Sequence, residues 1–383
     1  MLKLSRKFVT LAESVLNLEC LQYKYPWKLF KSAENYKINY APAETPLHCF
    51  SLLVETNSKD LKIISQSLSN LNSQIGFPGF SYTVHKDHVS LNLSGLEPDI
   101  LSIHKQIIPF IQSASSHDYK IRQPLEDLSS ILLSTCFEST QAQVQSVPLF
   151  ASPLFISTSL EPSLLSLPPR AALSSAPEVQ TYKPSMLLIE SPGDSTEISL
   201  AFKAAGYNSS EYFLFKFIEK LMTTDPFLYF DQSKQYNYLN SLLAGVPGVY
   251  SHSVKYWPGK NTGLLVHNIE CHPMAASFAG AAVVKVMKRA AKEIILYEIE
   301  RTQALLMNLI CQNCDLAERA GRKNEEEFSG KSEKEFVDFL ININEDYFCR
   351  RFAYWNEAQF PSVVVKGKLV SENVIENIFS SEI

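Results

Sequence analysis

The amino-acid sequence predicts an α+β protein in which mostly antiparallel sheet is covered by helices. Segments that alternate between apolar and polar residues lie among segments whose apolar residues recur every three or four positions. In the second half, the order of strand, helix, loop, strand, helix, helix and strand indicates an antiparallel sheet with a helical layer. Because 383 residues exceed what one hydrophobic core usually supports, two domains are expected.

The composition excludes several classes of protein. With 45% hydrophobic and 20% charged residues, the chain has the balance of a globular protein, and disorder is not expected for most of it. The net charge of -5 provides no basic surface for nucleic acid. No run of eighteen or more apolar residues occurs, so no transmembrane segment is expected.

The first twelve residues have the pattern of a short organelle targeting peptide. Lys3, Arg6 and Lys7 are interspersed with apolar residues, and no acidic residue precedes Glu13. The alternative is an exposed first helical turn with ordinary basic residues. The seven cysteines are expected to be reduced, because their number is odd and no secretory signal is recognisable.

In the first half, each expected element follows from its own pattern. The pattern predicts a buried strand at 48–54, a helix at 60–71, one strand at 80–93 and a helix at 98–114. The sequence Gly76-Phe77-Pro78-Gly79 provides the turn that ends the first helix.

Between residues 139 and 184, serine and proline become abundant, which is typical of a linker. We therefore expect the interdomain boundary near residue 180. The predicted units are 1–12 (targeting peptide), 20–180 (first domain) and 181–383 (second domain).

The second half has clearer patterns. They predict strands at 185–190, 196–203, 262–270 and 362–368, and helices at 211–222, 274–291 and 297–319. The charged segment 322–335 is expected to be a solvated connection, with a docking face for a basic peptide as the alternative.

Four segments of the second half carry a resemblance to a known family: Ile198–Met222 with the loop up to Leu239, the strand 263–269, and the helix containing Glu298-Ile299-Glu300-Arg301. They resemble the C-terminal domain of pitrilysin and insulinase-type metallopeptidases, the family that includes the inactive α subunit of mitochondrial processing peptidase and the cytochrome bc1 core proteins. The resemblance implies two related domains, each a mostly antiparallel sheet covered by helices, with the first domain shortened.

The family's zinc motif His-x-x-Glu-His does not occur in the chain. The segment 54–80 has room for about one helix where the family has two. The pair His85 and His88 is expected to lie in one strand with the side chains on opposite faces, solvated and unable to bind one ion. No metal, cofactor or catalytic residue is therefore expected in this chain, and zinc is expected in a partner subunit.

The resemblance also points to a substrate-binding loop at 223–237. The family's loop is glycine-rich, whereas here every glycine is absent and aromatic residues take their place. The candidate residues are Thr223, Thr224, Asp225, Phe227, Tyr229, Phe230, Asp231 and Lys234. Asp225 and Asp231 are expected to attract a presequence arginine. The alternative is that the aromatics pack against the core or a partner while the acids stay in water.

Together these features predict a noncatalytic α-like subunit of a processing peptidase in the mitochondrial matrix or a related organelle such as a hydrogenosome. Its expected partners are a catalytic β subunit and basic presequence peptides. The alternative is a structural core subunit of a respiratory complex, or another noncatalytic scaffold.

Overall fold

A computed structural model describes the chain over residues 27–31, 36–43, 46–56, 61–85, 87–113, 136, 150–165, 167, 182–223, 243, 246–294, 296–311, 316–356, 360–367 and 378. These residues form two sheets, each packed against helices. The predicted α+β class with two related sheet-and-helix units is therefore confirmed.

Six strands in the order β1-β2-β6-β3-β5-β4 form the first sheet. They are β1 (Lys28–Lys31), β2 (Lys37–Tyr40), β3 (Leu47–Thr56), β4 (Phe80–Val84), β5 (His88–Leu96) and β6 (Phe150–Thr158). All neighbouring pairs are antiparallel except β2 and β6. Two helices bury their apolar stripes against one face of this sheet, α1 (Leu61–Ile75) and α2 (Glu97–Ser113).

The second sheet has five strands in the order β7-β11-β8-β10-β9. They are β7 (Met186–Glu190), β8 (Thr196–Ala205), β9 (Val249–Trp257), β10 (Thr262–Cys271) and β11 (Ser362–Gly367). Only β7 and β11 pair in parallel. The largest core cluster lies between this sheet and α3 (Tyr212–Met222), α4 (Ala276–Lys292) and α5 (Leu296–Cys311).

The two sheets share one connectivity. In each, an early strand pairs in parallel with the last strand, β2 with β6 and β7 with β11. The central strand is followed by a helix and then by a hairpin whose second strand returns beside it. Strands β2, β3, β4, β5 and β6 thus correspond to β7, β8, β9, β10 and β11. The first sheet differs by its additional edge strand β1.

Helix α6 (Leu316–Ser329) belongs to the second half in sequence but packs on the first sheet, against β3, β5 and β6. It covers the face opposite to α1 and α2. The approach is close, since a Cβ at Gly321 would lie 3.1 Å from Oδ1 of Asn92. Two further helices, α7 (Glu333–Asn342) and α8 (Glu345–Asn356), return the chain to the second unit, where Leu340 and Phe348 join the core.

The structure corrects four local expectations. The single strand predicted at 80–93 is the hairpin of β4 and β5. The helix predicted at 297–319 is divided between α5 and α6, and the supposedly solvated segment 322–335 lies in α6, the turn at Gly330 and α7. Strand β9 was not predicted at all. The boundary near residue 180 stays a prediction, although β6 and β7 do fall on either side of it.

In the described part of the chain, no helix is long and apolar enough to cross a membrane.

Candidate functional site

Most of the predicted substrate loop lies outside the described residues: Thr224, Asp225, Phe227, Tyr229, Phe230, Asp231 and Lys234. Thr223 is described, and it ends helix α3. Its hydroxyl donates to the carbonyl of Glu219 and lies 3.4 Å from the carbonyl of Val254 on β9. Thr223 therefore attaches the start of the loop to the edge strand of the second sheet, which is a structural role.

A cavity of about 190 Å³ lies beside the point where this loop begins. Its walls come from the C-terminal ends of α3 and α4 and from the N-terminal part of α5. They consist of Leu221, Met222, Arg289, Ala290, Glu293, Ile294 and Glu298. The cavity could not be predicted from the sequence, because its walls come from three separated segments.

The charged residues around this cavity differ in their environment. Burial raises the pKa of Glu298, and the guanidinium of Arg301, 3.0 Å away, opposes that rise. Arg289 and Glu293 form a 2.8 Å ion pair at the surface, where solvent screens it. Glu298 is thus the carboxylate of this region whose charge is least screened by water.

A second cluster of ionisable groups lies at the junction of the two units. The imidazole rings of His85 and His88 stack with centroids 4.3 Å apart and planes inclined by 12°. His85 follows β4 and His88 begins β5, and the N–H of His85 donates to the carbonyl of His88 across the turn. Because a tight turn separates them, the two side chains lie on the same side. The expectation of opposite faces in one strand was wrong, and so was the expectation of solvated rings, since His88 is only 1% exposed.

The second unit closes over this histidine stack. Phe328 of α6 lies 4.5 Å from the ring of His88, and Tyr207, which follows β8, lies 6.0 Å from it, measured between centroids. Glu325 of α6 approaches Nε2 of His85 at 3.8 Å. The turn between β9 and β10 completes the contact, because the backbone N–H of Lys260 donates to Asp87 at 2.7 Å.

Burial governs the titration of these groups. It lowers the pKa of His85, although Glu325 acts in the opposite direction, and it lowers the pKa of His88 well below the usual value. Burial also raises the pKa of Tyr207. For Lys216, burial acts to lower the pKa, but Tyr212 and Glu325 outweigh it and the pKa is raised. Lys216 therefore stays charged, whereas the two imidazoles are held neutral.

A second stacked pair lies within the second unit. His252 on β9 and His267 on β10 have ring nitrogens 3.4 Å apart, and burial lowers the pKa of His252 to about 4 and that of His267 well below the usual value. Within the described residues, no group of three or more His, Cys, Asp or Glu side chains is arranged to hold a metal ion.

Comparisons with known proteins identify the fold. No family model matches the chain, and no curated protein matches its sequence. Among solved structures, it is similar to a peptidase M16 inactive domain from Pseudomonas fluorescens, with a TM-score of 0.61 and 13% identity, over 90% of this chain and 99% of that one.

It is also similar to a chain of complex III2 from Candida albicans solved with Inz-5 bound. That match has a TM-score of 0.65 and 13% identity, and it covers 92% of this chain and 99% of the other. The polypeptide therefore has the fold of these two proteins along nearly its whole length.

Proposed function

We propose that this chain is a noncatalytic subunit of a processing peptidase in mitochondria or a related organelle. In this role it helps to bind targeting presequences, which a zinc-bearing β subunit then cleaves. The observation that carries the proposal is the shared fold with an M16 inactive domain over 90% of this chain. The basic first twelve residues, Met1 to Ala12, support an organelle location.

The region between β3 and β4 supports a noncatalytic role. By the family resemblance, this is where an active subunit has its zinc-bearing helix. Here the described part, residues 61–79, contains one helix, α1, whose buried stripe is Ile64, Leu68 and Leu71. No residue of 57–79 is a histidine. Zinc in the partner subunit would supply the Lewis acid for hydrolysis.

The contribution of this chain would be to bind the peptide. The loop 223–237 starts at Thr223, next to the cavity lined by Leu221, Met222 and Glu298. In the proposal, Asp225 and Asp231 attract the arginines of a presequence, and the cavity accepts a neighbouring side chain. An ion pair between guanidinium and carboxylate would fix the register of the peptide.

The test is reconstitution with a purified β subunit and a fluorescent presequence. The proposal expects that adding this chain produces cleavage or increases it, and that the chain alone is inactive. Stable association with the β subunit, without a change in peptide affinity or turnover, contradicts it.

The loop can be tested separately with the variant Asp225→Asn/Asp231→Asn. We expect the affinity for an arginine-bearing presequence to fall about three- to tenfold at low salt and less at high salt, because salt screens exposed ion pairs. Asp194→Asn/Asp338→Asn, which removes two exposed acids elsewhere, is the matched control. Equal affinities for wild type and loop variant would exclude the acids from peptide binding.

The alternative function is that of a structural core subunit of a respiratory complex. It is favoured by the similarity to a chain of complex III2, which extends over 92% of this polypeptide. Co-purification from native organelles separates the two. Recovery of a zinc peptidase supports the processing subunit, and recovery of a membrane respiratory complex supports the structural one.

A further inference from the structure

The stacked histidines at the junction join parts of the chain that are far apart in sequence. His85 and His88 belong to the hairpin of the first unit, whereas Phe328, Glu325 and Tyr207 come from the second half. Phe328 also packs edge-on against Tyr207, with centroids 5.3 Å apart. We call His85, His88, Tyr207, Glu325 and Phe328 the clasp. Separating the two units would expose all of it.

Within the described residues, three ring nitrogens of the clasp have no hydrogen-bond partner. They are Nε2 of His85 and both Nδ1 and Nε2 of His88. Burying a polar atom without a hydrogen-bond partner costs free energy, and hydration removes that cost when the site opens. The clasp is therefore a place where docking of the two units is held by packing of neutral rings and not by hydrogen bonds of the imidazoles.

The charges around the rings do not favour a protonated imidazole in addition to the charged Lys216. Lys216 of α3 acts against protonation of His85, and each imidazole would repel the other if both were charged. Glu325 lies 3.8 Å from Nε2 of His85, and Asp87 accepts the N–H of Lys260. The other ionisable groups close to the cluster include Tyr207, Tyr212 and Lys260, and Glu55, which is the cross-strand neighbour of His88 on β3.

We propose that the clasp is an acid-sensitive latch, in which protonation of the His85 and His88 stack releases helix α6 and the second unit from the first sheet. The two units would then be docked at neutral and alkaline pH and would loosen in acid. The latch operates whether or not the chain binds presequences, since it depends only on the contact between the two units.

The direction follows from linkage. A histidine whose pKa is lower in the docked state than in the open state binds more protons when the units separate. Docking is therefore fully favourable above the ordinary histidine pKa of 6.5 and weakens as the pH falls below it. In that window, each histidine can change the ratio of open to closed molecules by at most about tenfold per pH unit.

Hydrogen exchange measured by mass spectrometry, corrected for the intrinsic pH dependence of exchange, tests the latch. Between pH 7.5 and 5.5, we expect the protection of α6 and of the β4–β5 hairpin to fall about tenfold or more in the wild type. In His85→Phe/His88→Phe, which keeps the aromatic stack but cannot be protonated, that fall should be absent. Protection of α6 that is independent of pH in the wild type would overturn the proposal, as would an equal fall in the variant.

The chain provides its own control. His252→Phe/His267→Phe removes the other stacked pair, which lies wholly within the second unit, and should leave the acid response of α6 in place. If the phenylalanine variant of the clasp does not fold, His85→Gln/His88→Gln takes its place. Glutamine is not protonated in this pH range either, so the fall in protection seen in the wild type should again be absent. An NMR titration of the wild type in which His85 and His88 both have a pKa at or above 6.5 while α6 stays protected excludes the latch.

Discussion

The two units of this protein have the same strand connectivity but achieve it with different side chains. Ser51 and Asn92 are cross-strand neighbours on β3 and β5, and their hydrogen bond is 2.7 Å long. On the corresponding strands β8 and β10, Ser199 and Asn268 are also neighbours and form the same kind of bond. The two sheets therefore carry the same polar pair on corresponding strands.

The difference between the units lies in what covers that pair. In the first sheet, Asn324 of α6 donates to Ser51 at 3.0 Å and accepts from Ser157 at 2.7 Å. In the second sheet, the same face carries Ala201, Val266 and Val364, and Cys136 packs against them. One unit is thus covered through hydrogen bonds and the other through apolar contact, so the two should respond differently to substitution at this face.

Removal of a large core side chain should have the largest effect and should affect both units alike. Phe217→Ala in the second unit and Phe50→Ala in the first each remove a fully buried ring, and each should lower the free energy of unfolding by about 3–5 kcal/mol. Because α6 joins the units, we expect one shared transition in chemical denaturation. Two separate transitions, each moved by only one of the variants, would show that the units unfold independently.

The next effect should distinguish the two covered faces. Asn324→Ala removes the acceptor of the buried Ser157 hydroxyl and the donor to Ser51, which keeps only its bond to Asn92, and we expect a loss of about 1–3 kcal/mol in the free energy of unfolding. Asn342→Ala is the matched control, because that exposed amide donates only to a carbonyl of its own helix. Similar losses in both variants would mean that the polar contact contributes nothing specific to docking.

The contrast between the two faces also explains how far the sequence alone could predict the fold. Strands β3, β7, β8, β10 and β11 and helices α1 to α4 follow apolar patterns that a core requires, so they were predicted within a few residues. Helix α6 has no such pattern. It buries Ala320, Gly321 and Asn324 against a face of serine and asparagine, and a rule based on apolar periodicity therefore assigns this segment to solvent.

Strand β9 was missed for a related reason. It is an edge strand in which Tyr250 and Ser251 are exposed, so its alternation is weak. The hairpin at His85 was missed although the sequence carries a sign of it: Tyr82 and Val84 alternate at even positions and Val89 and Leu91 at odd ones, with the polar run 85–88 between them. The clasp was not predicted, because its residues meet only through this turn and through α6, and the predicted elements included neither of them. Sequence reasoning could find its histidines but not their neighbours.

The smallest predicted effect tests whether the cores of the two units respond equally to acid. Burial lowers the pKa of His104 in the first unit and of His252 in the second, in each case to about 4. Both residues are neutral in the native state and bind a proton more readily when unfolded, so each one destabilises the protein as the pH falls from 6.5 towards 4. From pH 6.5 to 5.5, the loss should be about 1 kcal/mol for each histidine.

The variants His104→Leu and His252→Leu separate the two contributions. Each should reduce the pH dependence of the free energy of unfolding by that amount, measured by denaturation in buffers of equal ionic strength at the two pH values. The ring of His104 packs edge-on against Phe50, and leucine can fill this apolar site without being protonated. If only one variant shows a smaller pH dependence of the free energy of unfolding, the two cores do not respond equally to acid. The other histidine would then already reach solvent before its unit unfolds.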